Sequence, residues 1–524
     1  MHSLKNPLSF RPSSRPTSPA PPPPSRPDSG IGMERSRPLT KLSLNNLRRA
    51  SPAPAPSPLP VPLTLVQDGS YLEMLSLKLS EAISKAVTQP SGSPTMNDVV
   101  GGKRPIPNGR GSALGTLIIS ELKAANGNPH LHRAIVRSLH RPLSVLLGNL
   151  STMMLPLLSS PAFLAPPAPS VQSPNSNAVQ LHALAVAAFA GELLESFDDL
   201  NLGHDSDVRG DGLKVIRDGL VSLVNRVVNP LVGGIRNELV PILDALELST
   251  PGKVITGAKN VMLHNSVVTL QSIIPVYAQA LKRYTVSRAA QNVLAPFVIS
   301  LVWRSIVALC HRPMATSPPP SPGLLPLTAL KKRRGSPSSS PPLTPPSTRF
   351  TIKLPTSRPP SPPALQPVPS LSPASDARAL CDLLSALPGP SAETESGRLA
   401  REAVDEAMEG LRALADLFDL APGLLKVTDE QTLEDNALEL ERLTEKIPTL
   451  VALPVLLRAK GGLDLPSETV LGLSEEDYRN SCLTGFGRAD ECATPVGLRV
   501  CAHLRASAST RTVLLAWLEK EIAD

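Results

Sequence analysis

The prolines and the basic charge of this chain are concentrated in the same two segments, which limits the parts that can fold. Residues 1–62 carry nine Lys or Arg against two Asp or Glu, and residues 311–375 carry eight against none. Runs such as Pro21–Pro24 hold too little apolar surface to offset the entropy lost on ordering. We therefore expect a disordered basic Pro/Ser-rich tail at 1–62 and a disordered basic linker at 311–375.

The rest of the chain forms two regions, 63–310 and 376–524, each long enough to bury a core. Aromatic residues are 3% of the 524, so these cores must be built from Leu, Val, Ile and Ala, which favours helices packed on helices. The sequence predicts an all-α protein. Region 63–310 is expected to be an irregular helical bundle or a solenoid-like array with an internal loop at 89–110. Region 376–524, with 27 acids against fifteen bases, is expected to be a compact acidic bundle.

Apolar residues at spacings of three and four place the helices. In the first region they predict helices at about 70–88, 112–125, 129–158, 176–199, 211–247, 253–284 and 287–310. In the second they predict helices over about 399–418, 428–443, 448–459, 474–484, 495–506 and 508–522. Ser70 and Glu73 have the spacing of a capping box and are expected to begin the first helix. Pro230 and Pro241 are expected to break 211–247 into two or three shorter helices.

The window 293–310 is the most apolar part of the chain and raises the question of a membrane. It is about the minimum length of a spanning helix, but it carries Arg304 in its second half. A cation at that depth costs a few kcal/mol even on the most permissive scale, roughly 2.5–3.5. We therefore expect a buried helix of a helical domain, with Arg304 paired or reaching solvent. Association with a membrane through 293–310 stays an alternative.

A run of four cations, Lys331-Lys332-Arg333-Arg334, is the sharpest short motif. Nuclear-import receptors read such runs in extended segments, whereas a solvated charge run in a linker has the same composition. The two interpretations are both open. We keep the four residues as a candidate import signal and expect the protein in the nucleus, the cytoplasm or both, with an importin-type reader as a partner.

Ser-Pro and Thr-Pro pairs are frequent in the two proline-rich segments, where proline-directed kinases find extended sites. The candidate phosphorylation sites are Ser14, Ser51, Ser336, Ser340, Thr344 and Ser361. Ser14 lies in an R-x-x-S-x-P pattern that 14-3-3 readers bind when phosphorylated. Each phosphate would add about −1.5 to −2 charge to a basic segment. The same composition also produces such pairs by chance.

Pro21, Pro24 and Arg26 fit the P-x-x-P-x-R pattern of an SH3 ligand. A polyproline II helix is preformed, so docking into an aromatic groove costs little entropy, and Arg26 can pair with an acid beside the groove. A proline-rich tail without a dedicated partner would give the same match. We name the three residues as a candidate SH3-binding site.

No residues in the sequence form a recognisable catalytic, cofactor or metal constellation. Cys482, Cys492, Cys501 and His503 lack the short Cys-x₂₋₄-Cys spacing of a structural zinc site. Gly109, Gly111 and Gly115 have the wrong spacing for a dinucleotide turn, and no strand precedes them. We therefore predict no cofactor and no catalytic residues, although a site assembled only in three dimensions would leave no such trace.

The sequence thus predicts a non-enzymatic intracellular protein that binds other proteins as a scaffold or regulator, through helical surfaces and phosphoregulated disordered segments. Its expected partners are SH3, 14-3-3 and importin types of reader and proline-directed kinases. One alternative is a nuclear protein that contacts nucleic acid weakly through its basic tails. Those tails lack interleaved aromatic residues, so specific nucleic-acid recognition is not expected.

Overall fold

The computed structural model shows an all-α protein, which confirms the predicted fold class. No strand occurs in the part of the chain that the structure describes, where an isolated bridge joins Val100 to Lys103. The described residues are 64–88, 90, 99–166, 176–204, 212–248, 262–313, 372–426, 430–461, 468–507 and 511–523. They all belong to one compact unit, Thr64–Asp524.

The first eight helices precede the linker. They are α1 (Thr64–Val87), α2 (Arg110–Ala124), α3 (Pro129–Leu158), α4 (Ala178–Asp199), α5 (Leu213–Asp244), α6 (Asn265–Tyr284), α7 (Arg288–Gln291) and α8 (Leu294–His311). A short 3₁₀ turn, Ala245–Glu247, extends α5. Helix α2 packs on α4, α4 packs on α5, and α5 packs on α8, which comes three helices later in the chain.

Asparagine side chains cap two of these helices. Asn128 accepts from the backbone N–H groups of His130 and Leu131, with Pro129 in the first turn, so α3 begins and ends as predicted. Asn177 and Gln180 form a reciprocal capping box on α4. By contrast, α1 already begins at Thr64. The capping box predicted at Ser70 and Glu73 is therefore wrong, because both residues lie inside the helix.

The predicted breaks in 211–247 are also wrong, because α5 runs through Pro230 and Pro241. A proline inside a helix removes one backbone hydrogen bond and crowds the preceding turn. In α5 that cost is offset by tertiary packing, since apolar residues around most of the helix are buried, among them Leu223, Val227 and Leu231. Tertiary burial outweighs local propensity here.

After the linker, the described residues form eight helices. They are α9 (Pro373–Ser385), α10 (Glu395–Leu424), α11 (Glu430–Thr444), α12 (Thr449–Gly461), α13 (Glu468–Leu471), α14 (Glu475–Cys482), α15 (Phe486–Ser507) and α16 (Val513–Ala523). Helix α9 was not predicted and begins with Pro373, inside the segment assigned to the linker. Its buried residues Ala377, Leu380 and Leu384 pack on α10.

Helix α8 joins the helices before the linker to those after it. It packs on α5 and the 3₁₀ turn, and also on α9, α10, α12 and α14. Trp303 meets Phe486 of α15 edge to face, with ring centroids 5.9 Å apart. The apolar window 293–310 thus lies in the protein core, covered by helices that precede the linker in sequence and by helices that follow it.

Arg304, the cation within this window, is paired as expected. It binds Asp244 at the end of α5 through two hydrogen bonds, Nε to Oδ1 at 2.5 Å and Nη2 to Oδ2 at 2.9 Å. Within the described residues, two stretches have the length and composition of a membrane span, Ala178–Asp199 and Arg288–His311. In both, more than half of the most apolar window is buried inside the protein, as in the core helices of a soluble bundle.

Candidate binding cleft and linker junction

A cleft of about 900 Å³ is lined by residues of α3 and α4. Asn149, Thr152, Met153 and Pro156 line it from α3, at the spacings of one helix face. Helix α4 contributes a face in the same way, and the end of α1 together with residues 100–106 closes the third side. The α4 residues are Val179, His182 and Val186.

A tight turn sets the third side of the cleft. Gly101 and Gly102 both have positive φ, 56° and 76°, which glycine adopts without strain. The turn is closed by two backbone hydrogen bonds of 3.0 Å between Val100 and Lys103. Lys103 and Arg104 follow directly and lie on the rim, while Ile106 is buried beneath them.

Arg110 fixes the end of α1 beside this turn. Its Nη1 donates to the backbone carbonyl oxygens of Ala86, at 3.0 Å, and of Thr88. Carbonyl groups at the end of a helix lack partners within the helix, so a guanidinium there satisfies them. The first residue of α2 thereby holds the end of α1, and with it Val87 and Thr88, against the cleft.

The start of α2 shows that one apparent anion site is already filled. The Glu192 carboxylate of α4 accepts from the backbone N–H groups of Gly109 at 2.7 Å, Gly111 at 2.9 Å and Ser112 at 3.2 Å. A helix N-terminus attracts negative charge, and here the protein supplies it. The glycines that fail as a nucleotide motif therefore serve helix packing, a role that the sequence analysis missed.

The second feature is a buried ion pair at the two ends of the linker. Arg312 follows α8, Asp376 lies in the first turn of α9, and Nη1 to Oδ2 is 2.5 Å. The side chains are 5% and 0% exposed. The other carboxylate oxygen of Asp376 accepts from the backbone N–H of His264 at 2.9 Å. One buried carboxylate thus joins α6, α8 and α9.

His264 must be neutral in this arrangement. Its Nδ1 accepts from the backbone N–H of Ser266 at 3.2 Å, and its Nε2 lies 2.8 Å from the carbonyl oxygen of Leu248, to which it donates. Burial lowers the pKa of His264, and Arg312 lowers it further against the opposing effects of Leu248 and Asp376. The neutral ring caps α6 next to the ion pair.

Further contacts cross between the helices before and after the linker. Arg479 of α14 binds Glu247 of the 3₁₀ turn at 2.5 Å, and Gln291 accepts from the backbone N–H of Ser391 at 3.2 Å. Burial raises the pKa of the nearby Cys310 thiol, which leaves it in the protonated, unreactive form. Within the described residues, no three His, Cys, Asp or Glu side chains come together as a metal site.

The sequence-predicted motifs all lie outside the described residues. These are the import signal at Lys331, Lys332, Arg333 and Arg334, the phosphorylation sites Ser14, Ser51, Ser336, Ser340, Thr344 and Ser361, and the SH3 ligand at Pro21, Pro24 and Arg26. They stay predictions. The cleft and the junction, in contrast, were not predicted, because each is formed by residues brought together only by folding.

Comparison with known proteins adds little about function. No protein-family model and no curated protein matches the chain. Among solved structures, the C-terminal domain of the exocyst subunit Sec6p is similar at 9% sequence identity and a TM-score of 0.35. The similarity covers 88% of this chain and 98% of that domain. It is too remote to support an argument about fold or function.

Proposed function

We propose that this protein is a non-enzymatic scaffold that presents short motifs from a linker whose two ends are fixed on one helical unit. The observation that carries this proposal is the buried pair of Arg312 and Asp376, with the other contacts that cross the linker. The described residues before the linker end at residue 313, and those after it begin at residue 372. Both ends of the intervening segment are therefore held at one place.

In this proposal, the linker recruits partners while the helical unit stays intact. Lys331, Lys332, Arg333 and Arg334 would be read by an importin-type receptor, and Ser336, Ser340, Thr344 and Ser361 by proline-directed kinases. A phosphate on Ser336, two residues after the cation run, would offset about two of its four charges and weaken import. The N-terminal motifs at Ser14, Ser51, Pro21, Pro24 and Arg26 would add 14-3-3 and SH3 readers.

The test replaces residues 314–371 with a Gly/Ser linker of the same length in the full chain. Quantitative affinity purification would compare this variant with the wild type, and thermal unfolding would verify that the helical unit is unchanged. We expect loss of importin and kinase partners and a smaller nuclear fraction. An unchanged partner set with an unchanged nuclear fraction would contradict the proposal.

A narrower variant isolates the import signal. Lys331, Lys332, Arg333 and Arg334 are replaced together by Ala, with Arg349, Lys353 and Arg358 replaced by Ala as the matched control in the same linker. We expect a smaller nuclear fraction of tagged protein for the first variant alone. Nuclease treatment of the purified complexes tests the nucleic-acid alternative, since contacts made through basic tails would disappear with the nucleic acid.

A further inference from the structure

We propose that the cleft between α3 and α4 binds an anionic amphiphile, a ligand with an aliphatic chain and a single carboxylate or phosphate head group. This inference goes beyond the scaffold function, because it assigns a small-molecule site to the helical unit itself. Three observations on the cleft support it: its size, the chemistry of its walls and the sign of its charges.

The size and enclosure of the cleft suit a small molecule. Ligand sites usually measure about 300–1,000 Å³ and combine apolar walls with a few polar groups. The cleft measures about 900 Å³ and is formed by four separate parts of the chain: α1, the turn, α3 and α4. Contacts from several directions can bury most of a chain-like ligand, as a flat surface cannot.

The walls are aliphatic. Seven Val, Ile, Leu and Met side chains line the cleft, and none of its described lining residues is Phe, Tyr or Trp. They are Val87, Val100, Ile106, Met153, Leu157, Val179 and Val186. Planar ligands such as nucleobases are usually held by stacking on Phe, Tyr or Trp, and the described lining residues offer only the imidazole ring of His182. An alkyl chain needs only apolar surface, and these aliphatic side chains provide it.

The charge is of one sign. Lys103 and Arg104 line the cleft, and no Asp or Glu is among its described lining residues. A second hollow, of about 800 Å³ between the end of α3 and α5, differs in this respect because Asp218 and Arg226 both line it. Lys103 and Arg104 lie at the rim next to the glycine turn. A ligand with its chain inside would place an anionic head beside the exposed Lys103.

The test measures displacement of a fluorescent fatty acid from the full chain, below the concentrations at which the competitors form micelles. The competitors share one chain: oleate, oleoyl lysophosphatidate and oleyl alcohol. We expect either anion to compete at least about threefold better than the alcohol, as one favourable surface charge contact would give. The stronger of the two anions identifies the head group as carboxylate or phosphate.

Two variants fill the cleft. Thr152→Phe and Asn149→Phe each place a ring inside it from exposed positions on α3, so the fold should tolerate both. The control is Thr116→Phe on α2, because Thr116 and Thr152 are both exposed and each donates its hydroxyl to the carbonyl oxygen four residues earlier. We expect at least tenfold weaker binding for the cleft variants and none of this loss for the control.

A charge variant tests the head-group contact. Lys103→Glu should weaken oleate binding about three- to tenfold and leave oleyl alcohol binding unchanged, with Lys123→Glu on α2 as the exposed control. Equal binding of anion and alcohol would overturn the proposal. So would binding that persists unchanged in both Phe variants, or the absence of binding by every competitor. Because none of these variants touches the linker, failure here leaves the scaffold proposal untested and intact.

Discussion

The helices before the linker and those after it are held together by different chemistry. Before the linker, α2 packs on α4 so closely that glycine is required, and a Cβ at Gly111 would lie 2.3 Å from the Phe189 carbonyl oxygen. After it, α10 and α11 are amphipathic, and exposed ion pairs join them to residues just before α12 and α16, such as Glu409 with Lys446 and Glu434 with Arg511. Exposed pairs of this kind contribute little to stability, whereas close packing contributes much.

Neither the helices before the linker nor those after it form a complete core by themselves. The most apolar helix, α8, is made before the linker but is covered largely by α9, α10 and α12 from after it. The helices after the linker in turn use α8 as the apolar partner of their own buried faces. The two helical regions are therefore distinct in sequence. The predictions below test whether each region also folds independently.

The largest effect is expected when the two regions are separated. Residues 63–313 expressed alone should aggregate or bind a hydrophobic dye, because the face of α8 that contacts α10 and α12 is left in water. Co-expression with residues 372–524 should restore a soluble complex that purifies as one species. A soluble, monomeric 63–313 fragment with a cooperative unfolding transition would show instead that the first region folds independently.

The next largest loss of stability is expected from breaking the buried ion pair, and an exposed ion pair is the control. Asp376→Ala leaves the Arg312 guanidinium buried without this partner and the His264 N–H without its acceptor, so we expect a loss of about 3–5 kcal/mol in the free energy of unfolding. The matched control is Asp416→Ala, which removes an exposed carboxylate 3.3 Å from Arg378 and should cost less than about 1 kcal/mol. Urea unfolding of the full chain measures both, and equal losses would refute the junction's role.

The smallest effect compares two helical glycines. Gly111→Ala should destabilise the protein by about 1–3 kcal/mol, because the new methyl group would meet backbone of α4 that cannot move aside. Gly148→Ala in α3 should stabilise it by roughly 0.5–1 kcal/mol, because the added carbon has no atom within 4 Å besides its chain neighbours and the nearby backbone of α3 itself. Thermal unfolding of both variants decides the point, and a shift of the same sign in the two would contradict it.

The sequence was informative wherever one helix decides its own structure. The apolar spacing predicted α3 correctly at 129–158, and in the structure the Asn128 cap and Pro129 in the first turn agree with that spacing. It misled at Pro230 and Pro241, where burial of α5 outweighs local propensity. It missed α9, although Pro373 in a first turn followed by Ala377, Leu380 and Leu384 was a usable signal.

The junction and the cleft were beyond reach of the sequence for one physical reason. Arg312 and Asp376 are separated by 64 residues, and Arg479 and Glu247 by 232, so no local spacing links them. Lys103 and Arg104 lay within a predicted loop, and they line a cleft only because α3 and α4 lie beside that loop in the folded protein. Such features arise from the packing of whole helices and leave no periodic trace in any one of them.

The position of α8 also has a consequence for how the protein is made. Synthesis runs from the N-terminus, so α8 is complete before the linker, α9 and α10 exist. At about 5–20 residues per second, the stretch from residue 312 to the end of α10 at Leu424 takes roughly 6 to 23 s. Throughout that interval the most apolar helix of the nascent chain lacks the full set of partners that follow the linker. We expect the ribosome-bound intermediate to depend on chaperones at this stage, and a longer linker to lengthen that dependence in proportion.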